Sequence, residues 1–280
     1  MAQAKIVGEI LKQKISHLTY ELVVIETKGD RVLDKALHQI MDKGLFVKEI
    51  ERQLANGKID LAVHSYKDVP SQIFEQFTIG PVLIREDPED VLVSREGLDL
   101  FSLPPSSVIG TGSFRRIQQL SELRPDLRFK NIRGNIVTRL KKLDDGEYDA
   151  LVLAKAGLKR LGLEDRISQI FTDDQCIPAC AQGALAIELC KENTQLLDLL
   201  QCFAEDEVNE CVKSERAFLK EMGGSCAIPV GAHMVKDKAG YTFYTVFGDD
   251  HSIVKTKNSG SDMDRLLELA LSQTKEAFHE

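Results

Sequence analysis

Short runs of consecutive apolar residues alternate with segments of helical period along most of this chain, and that alternation limits the folds open to it. An apolar run of about four to eight residues without polar alternation reads as a strand covered on both faces, and intervening helices supply the cover. The chain is therefore expected to be an α/β protein. Residues 59–64 (IDLAVH) and 149–154 (DALVLA) read as buried strands, residues 20–26, 108–110 and 127–132 as further strands, and residues 183–189 (GALAIEL) form another apolar run. In residues 46–54, Phe46, Ile50 and Leu54 share one helical face, and Asn56-Gly57 ends that helix. Further helices are expected from about residue 114 and over 135–143.

A chain of 280 residues is too long for one ordinary core. Arg85-Glu86-Asp87-Pro88 marks a crossover into a second unit, and residues 177–182 mark a second crossover. Two crossovers joining two α/β units are the chain path of bilobed binding proteins. From residue 205 the pattern changes to a long helix ending near 222. Two or three β-rich segments follow (228–235, 241–247 and 252–256), then a helix from about 262. The expected division is domain 1 over 1–84 and 183–203, domain 2 over 88–178, and a small α+β domain 3 over 205–280.

Charge narrows the function. The net charge of −8 argues against a nucleic-acid protein, yet residues 109–162 hold twelve Lys/Arg and six Asp/Glu. A basic segment inside an acidic protein suggests a local anion site. No apolar run approaches the ~18 residues of a membrane span, and the start of the chain does not read as a signal peptide. The expected setting is cytoplasmic, with neither membrane nor nucleic-acid partner. Six cysteines (Cys176, Cys180, Cys190, Cys202, Cys211 and Cys226) are expected to be reduced there. Cys176 and Cys180 have no nearby His or Cys pair to complete a zinc site, so no metal is expected.

Three strand-to-helix corners carry the basic residues. In Gly110-Thr111-Gly112-Ser113-Phe114-Arg115-Arg116 the glycines let the backbone turn, Ser113 is placed to cap the helix, and the two arginines add forked donors for carboxylates or phosphates. The alternative is a capped helix with two solvated arginines. Arg133-Gly134-Asn135, with Arg139 one turn on, makes a second corner, and Lys159-Arg160 a third. Three such clusters at one sheet edge imply a ligand with several negative groups. There is no P-loop lysine pattern and no complete dinucleotide fingerprint. In the other unit, His64-Ser65-Tyr66-Lys67-Asp68-Val69-Pro70 follows a buried strand. Asp68, beside Lys67, is placed to stabilise a developing cation or move a proton, although a plain charged loop, with Pro70 stopping the strand, is the commoner reading of such a stretch taken alone. His64 reads as a satisfied strand-end histidine. Cys226, on the Gly223-Gly224-Ser225 loop, is the candidate thiol for a covalent attachment, with a structural cysteine as the alternative.

Taken in order, these segments resemble the hydroxymethylbilane synthase (porphobilinogen deaminase) family over nearly the whole chain. The resemblance is carried by residues 43–49 (KGLFVKE), Ala62-Val63-His64-Ser65 with Lys67-Asp68-Val69-Pro70, and Arg133-Gly134-Asn135. Tyr148-Asp149-Ala150, residues 156–162 (AGLKRLG) and Gln182-Gly183-Ala184 also match. It implies two lobes like type II periplasmic binding proteins plus a small C-terminal domain. The implied reaction condenses four porphobilinogen molecules head to tail, with release of ammonia, to the linear tetrapyrrole of haem biosynthesis. It further implies a dipyrromethane cofactor in thioether linkage to Cys226 and Asp68 as the catalytic carboxylate. Lys43, Phe46, Lys67, Ser113, Arg115 and Arg116 would stand around the cofactor, and Arg133, Arg139 and Arg160 around the substrate acids. A monomer is expected.

The chain also departs from the family pattern. Members begin with a strand carrying Arg-x-Ser ahead of a helix, whereas the residues given start within that helix, so this central strand is expected to be absent from them. Gln39 stands for a lysine, Ile40-Met41-Asp42 for Val-Gly-Gly, and Gly112 for a serine. Cys180-Ala181 stands for Val-Gly, and Ser225 for a glycine. These departures suggest slower turnover or weaker cofactor handling. The competing reading is a bilobed anion-binding homologue with impaired catalysis.

Overall fold

The computed structural model describes residues 1–25, 48–224, 228–249 and 252–279. The chain divides into two compact units, Met1–Arg85 with Ala184–Glu210, and Glu86–Gly183 with Cys211–Glu280. The mixed α/β class read from the alternation is what the structure has.

In the first unit, α1 (Ala2–Lys14) and α2 (Lys48–Ala55) precede β1 (Ala62–Ser65) and β2 (Phe77–Ile79). After the second crossover come β8 (Leu185–Cys190) and, C-terminal to it, a helix at Thr194–Gln201. The sheet order among described strands is β1-β8-β2, with β8 antiparallel to both neighbours. Leu185, Ile187 and Leu189 point alternately to one face, where they pack with Val7 and Leu11 of α1. The strand expected over residues 20–26 does not form over its described part, 20–25. Val23 and Val24 are exposed, and Tyr20 instead lies over α1, its hydroxyl donating to Glu9 Oε1 at 2.6 Å. Gly8 makes room for that ring: a β-carbon there would sit 2.6 Å from it.

The second unit is built on five strands: β3 (Asp90–Ser94), β4 (Val108–Gly110), β5 (Arg128–Lys130), β6 (Ala150–Ala154) and β7 (Gln169–Ile170). Their order is β5-β4-β6-β3-β7, with β5, β4 and β6 mutually parallel and β3 antiparallel to β6 and β7. Both faces are covered, as the unbroken apolar strands require. Leu92, Ile109, Ala150 and Val152 pack on one side with Leu120 and Phe171. Val91, Val93, Leu151 and Leu153 pack on the other with Leu140, Leu143 and Leu158. Helices α3 (Phe114–Leu123), α4 (Ile136–Asp144) and α5 (Lys155–Lys159) follow the three parallel strands. The helix at Thr194–Gln201 is α6, and α7 (Asp206–Glu221) follows it. An antiparallel sheet β11-β10-β9 is made by β9 (Val230–Asp237), β10 (Gly240–Gly248) and β11 (Ile253–Gly260), and α8 (Met263–His279) ends the chain. Phe218 of α7 meets Phe243 edge-on at 6.1 Å in a core with Met234, Leu266 and Ala270. No described helix is long and apolar enough to cross a membrane.

Candidate functional site

Strands β5, β4 and β6 are neighbours and parallel, so their carboxyl ends share one sheet edge, and each passes there into its helix. The three basic corners expected from the sequence therefore do converge on one edge. Ser113 is the N-cap residue of α3, but its side chain makes no capping hydrogen bond. Asn135 does cap α4: Oδ1 accepts from Thr138 N at 2.9 Å. Gly134, at φ +109, turns the backbone into that cap, and its carbonyl accepts from Arg139 Nε at 2.7 Å.

The arginines at this edge fall into two sets. Arg133 Nη2 and Arg160 Nε are buried atoms without a hydrogen-bond partner. Arg160 Nη2 donates to Gly183 O, and burial holds the guanidinium pKa below its ordinary value, with Glu86 opposing. A buried, unpaired guanidinium N–H is costly unless an acceptor meets it, which fits both residues to a bound carboxylate.

Arg115 and Arg116 differ from either sequence reading. They are neither solvated nor simple open donors, being 5% and 7% exposed. Arg116 donates through Nε and Nη2 to Asp90 Oδ1, at 3.1 and 2.6 Å, and through Nη1 to Val152 O. Arg115 Nη1 lies 2.8 Å from Asp90 Oδ2 and also donates to Ile177 O. Asp90 is fully buried. Burial alone pushes its carboxyl up, but the two guanidiniums more than offset this and hold it well below the usual carboxylate range. Sequence reasoning missed Asp90. Its signal was an acid inside the wholly buried run of β3, where an unpaired charge is not tolerated.

The same omission inflated the local positive charge. The segment just before the basic stretch supplies Glu86, Asp87, Glu89 and Asp90. Lys155 Nζ pairs with Asp87 at 2.9 Å and Lys159 Nζ with Glu86 at 2.8 Å. Lys159, carried into the site by its place beside Arg160, thus makes its ion pairs along the crossover.

In the first unit, Tyr66–Asp68 is a single 3-10 turn after β1, held by Tyr66 N donating to Ala184 O and by buried Val69. Asp68 itself is exposed and Lys67 half-buried. His64 Nε2 lies 2.9 Å from Glu188 Oε2, so His64 is satisfied at its strand end as expected. Lys43, Phe46 and Cys226, together with Gln39, Ile40-Met41-Asp42 and Ser225, lie outside the described residues. Of the remaining cysteines, Cys176, Cys180 and Cys211 are buried, and burial pushes Cys176 and Cys180 up to about 12. Cys202 is exposed. It lies at the end of α6, just past the face that carries Leu200 inward.

The fold is thus a two-unit α/β chain in which one unit carries arginines along the carboxyl edge of parallel strands. Comparison with known proteins makes the class specific. Residues 1–198 match the family described as porphobilinogen deaminase, dipyromethane cofactor binding domain, and residues 209–270 match porphobilinogen deaminase, C-terminal domain. The porphobilinogen deaminase of Shouchella clausii is 45% identical over 270 residues, 95% of this chain and 87% of that protein. That of Geobacillus kaustophilus is 50% identical over 234 residues, 83% and 76% of the two chains. That of Lachnospira eligens is 43% identical over 267 residues, 94% and 90%. Among solved structures, a probable amino-acid ABC transporter extracellular-binding protein from Bacillus subtilis is similar at TM-score 0.43 and 13% identity, over 78% of this chain and 86% of that one, too distant to carry an argument. This chain belongs to the porphobilinogen deaminase family, a family of transferases that work with a dipyrromethane cofactor.

Proposed function

We propose that this chain is a working hydroxymethylbilane synthase. It joins four porphobilinogen molecules head to tail, with loss of ammonia at each addition, and water then cleaves the finished chain free as linear hydroxymethylbilane for porphyrin and haem biosynthesis. The observation that carries the reading, in a chain of this family, is the arginine edge of the five-stranded sheet. Porphobilinogen bears an acetate and a propionate, and a growing chain multiplies those carboxylates. Arg133 and Arg160 offer buried donors without partners, Arg139 stands on the same corner as Arg133, and the Arg115–Arg116–Asp90 group retains one positive charge. Ser113, with its hydroxyl outside the cap, adds a neutral donor.

Each residue then has a task. Asp68, exposed on its fixed turn, stabilises positive charge on pyrrole nitrogen and holds or returns the proton as ammonia leaves. Lys67 beside it and Lys43 meet cofactor carboxylates, and Phe46 packs on a pyrrole ring. Cys226 forms the thioether; when bound, dipyrromethane supplies the pyrrole carbon to which units are added. The chain has three domains in this reading, 1–84 with 183–203, 88–178, and 205–280. The enzyme acts as a cytoplasmic monomer. An anion-binding protein that had lost catalysis would need neither Asp68 nor Cys226, which counts against that alternative.

Intact-mass measurement tests the reading. The protein is expected to carry a covalent adduct of two pyrrole units that disappears in Cys226→Ala. An unmodified mass after exposure to porphobilinogen would sink it. Asp68→Asn is expected to keep the adduct while turnover falls by about a hundredfold or more; near-normal turnover removes Asp68 from its role.

A further inference from the structure

The Asp90 carboxylate collects more donors than pairing alone requires. Its Oδ1 accepts from Arg116 Nε and Nη2 and from Gln182 Nε2 at 2.8 Å, and Oδ2 meets Arg115 Nη1 and, at 3.6 Å, the Cys176 thiol. Gln182 Nε2 also donates to Pro88 O at 2.6 Å, which fixes the carboxylate from behind. Neither arginine can be re-aimed without breaking a second buried contact, to Ile177 O for Arg115 and Val152 O for Arg116. Space around Arg115 is equally restricted: a β-carbon on Gly231 of β9 would sit 2.8 Å from Arg115 Cδ.

Two guanidiniums on one carboxylate leave one positive charge uncompensated. The Cys176 thiol does not cancel it, since burial, chiefly, and Asp90 beside it keep that thiol protonated. Buried ion triads are a poor route to stability, because apolar replacements of similar volume often do as well or better. A surplus charge held rigidly at a binding edge has a use that stability does not provide.

We propose that Asp90 is a positioning residue for recognition of the carboxylates of the cofactor and the pyrrole chain growing from it, presenting Arg115 and Arg116 as a pre-set pair with one unneutralised positive charge. This rests on the synthase reading above. Guanidiniums immobilised before binding lose no further side-chain freedom when the anion arrives, and their donors need not reorganise.

Asp90→Glu isolates position from charge, because it keeps the carboxylate and moves it by one methylene. The adduct-bearing enzyme with this change is expected to show KM for porphobilinogen raised at least about tenfold with kcat much less affected. Asp90→Asn leaves the pair doubly positive. It is expected to become sensitive to inorganic phosphate at concentrations that leave the unaltered enzyme unaffected. A purely structural role would lower the melting temperature and the yield of folded protein, leaving KM per adduct-bearing molecule and phosphate sensitivity unchanged. That result would overturn the inference. If Asp90→Asn does not fold, KM of Asp90→Glu decides alone. An unaltered protein with neither adduct nor turnover would overturn the synthase reading and this inference with it. Active unaltered enzyme beside variants of unchanged KM overturns the inference only.

Discussion

Ala181 has φ +61, the left-handed region in which a β-carbon crowds the following carbonyl. Its amide is tied down at 2.7 Å by Glu215 Oε2, a buried carboxylate, so the backbone cannot relax locally. This is a position where the family resemblance implies glycine, and the structure gives the reason. Ala181→Gly is expected to stabilise the protein by about 1 kcal/mol, the left-handed penalty less the entropy glycine loses on folding, as read by urea unfolding. Gly112, which stands for a serine, has another explanation: the Asn131 side chain lies where the β-carbon would go, 2.6 Å from it. Asp90 makes stability depend on acid. Its folded pKa lies below the unfolded value of about 3.9, so its stabilisation is complete above that pH and is lost as pH falls toward the folded value. Asp90→Asn should flatten the acid limb of a stability–pH profile, and an unchanged slope below about pH 4 would contradict the linkage.

At the scale of elements, strands and helices of the second unit were readable because each carries its own local signal. The expected helix over 135–143 forms as Ile136–Asp144 with Asn135 as its cap, and strand 149–154 forms as Ala150–Ala154. Asn135→Ala is expected to cost about 1 kcal/mol, since the Thr138 amide loses its acceptor; thermal unfolding followed by circular dichroism would read it. Segment 20–26 misled because β-branched residues in a short run look alike whether or not a partner strand exists. Pairing is a property of two segments, and over residues 20–25 none is made. The strand over 127–132 shortens to Arg128–Lys130, and its apolar ends, Leu127 and Ile132, are buried in the two clusters that pack on the sheet.

At the scale of the molecule, the described residues include a fully covered apolar block where β3 and β6 pair, made of Val91, Leu92, Val93, Ala150, Leu151 and Val152. Amides of this pair are expected to be among the slowest to exchange in deuterium labelling, and α2 and the exposed 20–25 segment among the fastest. Uniform exchange across these regions would contradict the packing. By itself the sequence determined the α/β class, the two crossovers, the family and the three basic corners, because period, punctuation and motif are local and survive without coordinates. Only the tertiary structure decided what those basic residues face. The antiparallel return of β3 beside β6, two strands from β4, sets Asp90 under Arg115 and Arg116, and nothing local in either segment states that neighbourhood. Electrostatic meaning depends on distances between elements far apart in the chain, so the arginine pair became a positioned triad only once the sheet order was known.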